Sequence, residues 1–93
     1  MTTIECIIAV LQNKGFEVLE SREDRVFGTR IALATKKTDG GDIEIAWGDN
    51  GTARVQKPNG TTKWYYEKTI PQVARALDQC IEFNTYKSRW GLA

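Results

Sequence analysis

Ninety-three residues with 13 Lys/Arg against 12 Asp/Glu, a formal net charge of +1, make one small domain with a modest core. A hydrophobic content of 41% and a charged content of 27% suit an ordinary globular protein. No apolar stretch approaches the ~18 residues that span a bilayer, and the start lacks a basic region and a small-residue cleavage site. A cytosolic (cytoplasmic) protein without membrane contact is therefore expected.

The chain opens with a helical pattern. Thr2 and Glu5 fit the capping box, in which the cap hydroxyl and the later carboxylate satisfy two orphan backbone N–H groups. Ile4, Ile7, Ile8 and Leu11 recur at i, i+3, i+4 and i+7, which predicts an amphipathic helix over 3–14. Gly15 stands where a helix ends in left-handed backbone. Residues 16–20 then read as a short strand with Phe16 and Val18 on one face, and 21–25 as a polar loop.

Three turn signals follow at ten-residue spacing: Asp39-Gly40-Gly41, Asp49-Asn50-Gly51 and Pro58-Asn59-Gly60. Asp-Gly and Asn-Gly supply the positive φ that tight hairpins need, so residues 30–67 read as an antiparallel meander. Strands are expected over 27–37 and 42–48, the latter with Ile43, Ile45 and Trp47 alternating. A five-residue loop at 37–41 would pair Leu33 with Ile45 and Ile31 with Trp47, burying one apolar face. At the second turn a three-residue loop puts Ala53 and Val55 on that face, where a two-residue loop would bury Arg54. At the third, a two-residue Asn59-Gly60 loop would pair Val55 with Trp64 and Ala53 with Tyr66, turning Tyr65 outward.

A second helix begins near Ile70. Thr69 and Gln72 repeat the capping box, and Pro71 suits a first helical turn. Ile70, Val73, Ala74, Leu77, Cys80 and Ile81 form its apolar stripe, and Arg75, Asp78, Gln79 and Glu82 its wet face. Fraying is expected after Asn84, which leaves 86–93 as a basic-aromatic tail on a single domain of 1–85. The expected architecture is α+β: a four- or five-stranded antiparallel meander flanked by an N-terminal and a C-terminal helix packed on one face, in the order α-β-β-β-β-β-α. The expected core holds Ile7, Leu11, Leu33, Ile43, Ile45, Trp47, Val55, Trp64, Val73, Leu77 and Ile81. Cys6 and Cys80 match no zinc or redox spacing and read as reduced, small core residues.

Histidine is absent, which removes the commonest general base and metal ligand and every His-activated nucleophile. There is no phosphate-cradling Gly-rich motif, and Asp39-Gly40-Gly41-Asp42 lacks the ligand spacing of a calcium loop. The expectation is a non-enzyme without cofactor or metal. In the register above, the second sheet face collects Arg30, Ala32, Ala34, Lys36, Glu44, Ala46, Arg54, Lys63 and Tyr65. Three alanines there leave the backbone close to whatever lies above, which is either the first helix or a protein partner. Arg30, Lys36, Arg54, Lys63 and Tyr65 are the candidate contacts, with Arg54 and Tyr65 as anchors. The protein itself is expected as a monomer or weak homodimer.

A second reading rests on charge. Residues 1–50 carry nine acids and six bases, a net of −3, while 51–93 carry three and seven, a net of +4. Basic and aromatic residues interleave in the second half. In a nucleic-acid-binding module Lys63, Lys87 and Arg89 would meet phosphates, and Tyr65 and Trp90 would stack on bases.

The order of elements resembles the double-stranded RNA-binding domain, whose second helix opens on a basic cluster. Here Thr69-Ile70-Pro71-Gln72-Val73 stands in its place. Gly15-Phe16-Glu17-Val18, Asp42-Ile43-Glu44-Ile45-Ala46-Trp47 and Phe83-Asn84-Thr85 make the chain similar to a family of small uncharacterised proteins of cyanobacteria and algal plastids. That resemblance implies a compact α+β fold and carries no activity over. Size and element order also resemble small phage-encoded inhibitors of host defence proteins, which implies a non-catalytic inhibitor or accessory role.

Overall fold

The computed structural model describes residues 2–89, with side chains through Asn84. The elements are α1 (Thr3–Asn13), β1 (Glu17–Asp24), β2 (Thr29–Thr38), β3 (Gly41–Gly48), β4 (Ala53–Gln56), β5 (Thr62–Tyr65) and α2 (Ile70–Arg89). The five strands form one open antiparallel sheet in chain order, the α+β layout that the sequence predicts. Among the described residues no helix is long and apolar enough to cross a membrane.

Both helix starts are set by their capping boxes. Thr2 Oγ1 accepts the Glu5 N–H at 3.3 Å, and the Glu5 carboxylate accepts the Thr2 N–H at 3.1 Å. Gln72 accepts the Thr69 N–H at 2.8 Å, and Thr69 Oγ1 accepts the Gln72 N–H at 3.4 Å. α2 does not stop at Asn84 but runs on to Arg89. β1 is also longer than its sequence suggests, because the polar stretch at 21–24 continues the strand after a bulge between Val18 and Glu20. Charged edge strands of this kind resist pairing with foreign strands, which removes the hydrophobic alternation that would reveal them.

The helices share one side of the sheet. Ile7 and Leu11 from α1 and Val73, Leu77 and Cys80 from α2 pack on Ala32, Ala34, Ile43, Ile45, Trp47, Ala53 and Val55. Each large apolar side chain buried here is worth roughly 1.5–3 kcal/mol. A Lys14–Asp78 ion pair ties the end of α1 to α2. Cys6 and Cys80 are both free thiols.

Two registers differ from expectation. β2 and β3 pair Ala32 with Trp47, Leu33 with Ala46 and Ala34 with Ile45. The connection is the two-residue Asp39-Gly40, with Thr38 opposite Gly41, instead of a loop over 37–41. That one-residue slip moves every β2 side chain to the opposite face. The small Ala32 and Ala34 thus lie under the helices, which can approach closely, while Ile31 and Leu33 turn away. β3 and β4 keep the expected register, Trp47 with Ala53 and Ile45 with Val55.

β4 and β5 pair Ala53 with Tyr65, Arg54 with Trp64 and Val55 with Lys63, so Tyr65 turns toward the helices and Trp64 away. The cause is local. The third turn repeats the second, because both are three-residue loops ending in a glycine with φ near +90° (Gly51 +89°, Gly60 +88°). In each, the Asn side chain accepts the N–H of the threonine after the glycine, Asn50 from Thr52 at 3.1 Å and Asn59 from Thr61 at 2.9 Å. Leu33 and Trp64 therefore leave the expected core, and Ile81 is half-buried at its margin. Phe16, Ala32, Ala34, Ala53 and Cys80 join it.

Candidate interaction surface on the helix-free face

The face of the sheet that carries no helix builds a cover from its own side chains. Glu20, Leu33, Ala46, Arg54 and Trp64 oppose one another in a single row across all five strands. Above that row, Phe27 in the β1–β2 turn folds over the sheet and forms a second apolar cluster with Ile31 and Ala46. Leu33 and Trp64 pack against its margin.

The Phe27 turn is held by named polar contacts. Asp24 Oδ1 accepts the N–H groups of Val26 at 2.8 Å and Phe27 at 3.1 Å. The Phe27 hydrogen bond is the main reason the Asp24 carboxyl sits below its ordinary pKa, with Arg22 and the Val26 N–H adding to it against the opposing effect of burial. Asn50 Nδ2 donates to the Phe27 carbonyl at 3.0 Å, and Thr29 hydrogen-bonds Asp49. Phe27 is thereby placed against the Trp64 ring, with centroids 5.5 Å apart and planes tilted by 36°.

Trp64 is the hub of this surface. Tyr66 stacks on it at 6.0 Å with an interplanar angle of 7°, and the Arg54 guanidinium lies 5.7 Å from its ring centre. Arg54 makes no ion pair among the described residues. Tyr66 and Leu19 are each 62% exposed. A shallow depression of about 200 Å³ lies beside the ring cluster, lined by Leu19, Leu33, Glu44, Ala46, Arg54 and Gln56. Its floor is apolar and its rim carries one acid and one base. Such a depression accepts one apolar side chain and offers charged groups to that residue's neighbours.

The residues singled out from the sequence do not assemble on one face. Arg54 stands on the helix-free face. Arg30 and Lys36 are on the helix side of β2, because the register of β2 is shifted. Arg30 pairs with Glu23 at 3.6 Å, and the Lys36 ammonium lies close to Gly15 at the end of α1. Lys63 and Tyr65 do come together, with the ammonium 5.3 Å from the ring centre, but on the helix side of β5. The side chains of Lys87 and Arg89, and all of Trp90, lie outside the described residues. Sequence reasoning missed Phe27, Trp64 and Tyr66 as surface-forming residues. The repeated Asn-Gly-Thr in the second and third turns is the signal that would have placed Trp64 and Tyr66.

Among the described residues no group of three or more His, Cys, Asp or Glu is placed to hold a metal. The chain matches no protein-family model, and no curated protein or solved structure is significantly similar to it.

Proposed function

We propose that this protein is a small non-catalytic binding or inhibitor module that engages a protein partner through the helix-free face of its sheet. The observation that carries this reading is the gathering of Tyr66 and Arg54 on the Trp64 ring, with Arg54 also lining an apolar depression. Trp, Tyr and Arg are the residue types most enriched among those that dominate binding energy at interfaces. Arg54 keeps the anchoring role expected from the sequence, and Tyr66 takes the place of Tyr65.

The test uses affinity capture from cells of the native host. The bait is the wild-type chain, the triple variant Leu19→Asp/Arg54→Glu/Tyr66→Ala, or an Arg75→Glu control on α2. A partner retained by wild type and control and lost with the triple variant supports the reading. Recovery of the same proteins with all three baits removes this face from consideration.

Nucleic acid is the second reading, and the stacked Trp64–Tyr66 pair favours it, since rings on a sheet face serve as platforms for bases. The same row carries Glu20, and Glu44 rims the depression, which opposes a phosphate backbone. Titration with labelled single- and double-stranded DNA and RNA decides between them. Affinity weaker than about 10⁻⁴ M even at low salt, the loose end of non-specific binding, excludes the nucleic-acid reading.

A further inference from the structure

A second recess lies on the opposite side of β5, independent of the surface above. It has a volume of about 270 Å³ and runs between the β4–β5 hairpin and α2. Val55, Tyr65, Ala76 and Cys80 give it an apolar floor, and Phe83, 64% exposed, stands at its rim. Lys57 and Lys63 line the same recess from the sheet side. Neither lysine makes an ion pair among the described residues.

Burial pushes the Tyr65 hydroxyl and the Cys80 thiol above their ordinary pKa values, as an apolar floor requires. Lys57 lines the recess, and its charge opposes that rise at both groups. Lys63 flanks it, 5.3 Å from the Tyr65 ring centre. Two cations without carboxylate partners, above an apolar floor, are complementary to an apolar side chain with negative charge beside it.

We propose that the recess between β5 and α2 is a docking site for an acidic peptide segment of a partner protein. An apolar or aromatic side chain of that segment enters over Val55 and Cys80, and adjacent carboxylates meet Lys57 and Lys63. The recess is too small for more than one or two side chains, so the segment binds as a short motif and its charge sets orientation and selectivity.

The probe is the peptide acetyl-Asp-Phe-Asp-Leu-amide, titrated into ¹⁵N-labelled full chain and followed by amide chemical shifts. Saturable shifts at Val55, Lys63, Tyr65 and Cys80 are expected, with none at Arg54 or Ala46. The Asn-for-Asp peptide should bind about tenfold more weakly or not at all, and so should the wild-type peptide with the Lys57→Gln/Lys63→Gln variant, given the coupling that close charge pairs provide. Both lysines project from the sheet, so the variant should keep the wild-type spectrum elsewhere, and raised salt on the wild type gives the same check without a substitution. Absence of saturable shifts at millimolar peptide overturns the proposal. Equal binding of the Asn peptide also overturns it, as does phenylacetate binding as tightly as the peptide, which would make the recess a small-acid site.

Discussion

The two faces of the sheet solve the same burial problem by opposite means. On one, small residues (Ala32, Ala34 and Ala53) let α1 and α2 come close, and Ile7, Leu11, Val73 and Leu77 of the helices meet Ile43, Ile45, Trp47 and Val55 of the sheet. On the other there is no helix, and the large residues are the sheet's own: Ile31, Leu33 and Trp64, with Phe27 folded over them from a turn. Ala32, Ala34 and Ala53 therefore lie where the helices cover the sheet. On the helix-free face Leu33 and Trp64 stay only partly buried. A run of alanines read alone suggests room for an outside partner; here that room is filled by the chain's own helices.

The largest effect that sharpens this contrast is Leu77→Ala. Leu77 is fully buried between α2 and the sheet, and its truncation should cost ~2–5 kcal/mol in denaturant unfolding. A loss under about 0.5 kcal/mol, typical of surface sites, would break the assignment of α2 to that face.

Enlarging an alanine on each face separates them further. Ala32→Leu, beneath the helices, should destabilise by ~1–3 kcal/mol through overpacking. Ala46 is buried in the Phe27 cluster but also borders the open depression, so Ala46→Leu has room on one side and should cost less than Ala32→Leu. Equal costs for the two would mean that the faces are not differently filled.

The turns that fix the registers are tested by Gly51→Ala and Gly60→Ala. Each forces an L-residue into positive φ, at a cost of about 1–2 kcal/mol. A Cβ on Gly51 would also stand 2.7 Å from the Lys68 carbonyl oxygen, whereas one on Gly60 meets nothing within 4 Å. Gly51→Ala should therefore be the more damaging by thermal melting.

On the helix-free face, a double-mutant cycle on Phe27 and Trp64 should return a coupling of ~0.5–1.5 kcal/mol, the value of an aromatic pair beyond its buried area. Coupling near zero would remove the self-made cover.

The smallest effect belongs to Asp24. Its carboxyl is held below the ordinary pKa by the Phe27 N–H, so it favours the folded state above the unfolded pKa of about 3.9. That contribution is lost as pH falls through the lower folded value. Stability measured against pH should drop below about pH 4 in the wild type, and less steeply in Asp24→Asn.

Much of this fold was legible in the sequence. Both capping boxes, the helical stripes, the turn positions and the β3–β4 register follow from local rules that the structure obeys. The β2–β3 and β4–β5 registers were not legible, because both were decided by burying the larger residues. Leu33 and Trp64 won that choice on size, but helices need clearance and the Asn-Gly-Thr turn dictates its own loop length. The candidate surface inherited those errors. Arg54 lies on the face expected of it because the β3–β4 register was right. Phe27 was not found, since it lies in a turn where no strand alternation applies, and hydrogen bonds with the Asp24 and Asn50 side chains help bring it over the sheet.

The most direct test is where the Trp64 indole lies. Nuclear Overhauser contacts from its ring protons should reach the Phe27 ring and the Arg54 side chain, and none should reach Leu77 or Ile81 on α2. Contacts from the indole to Leu77 or Ile81, with Phe27 and Arg54 silent, would put Trp64 under the helices and contradict the two-face account.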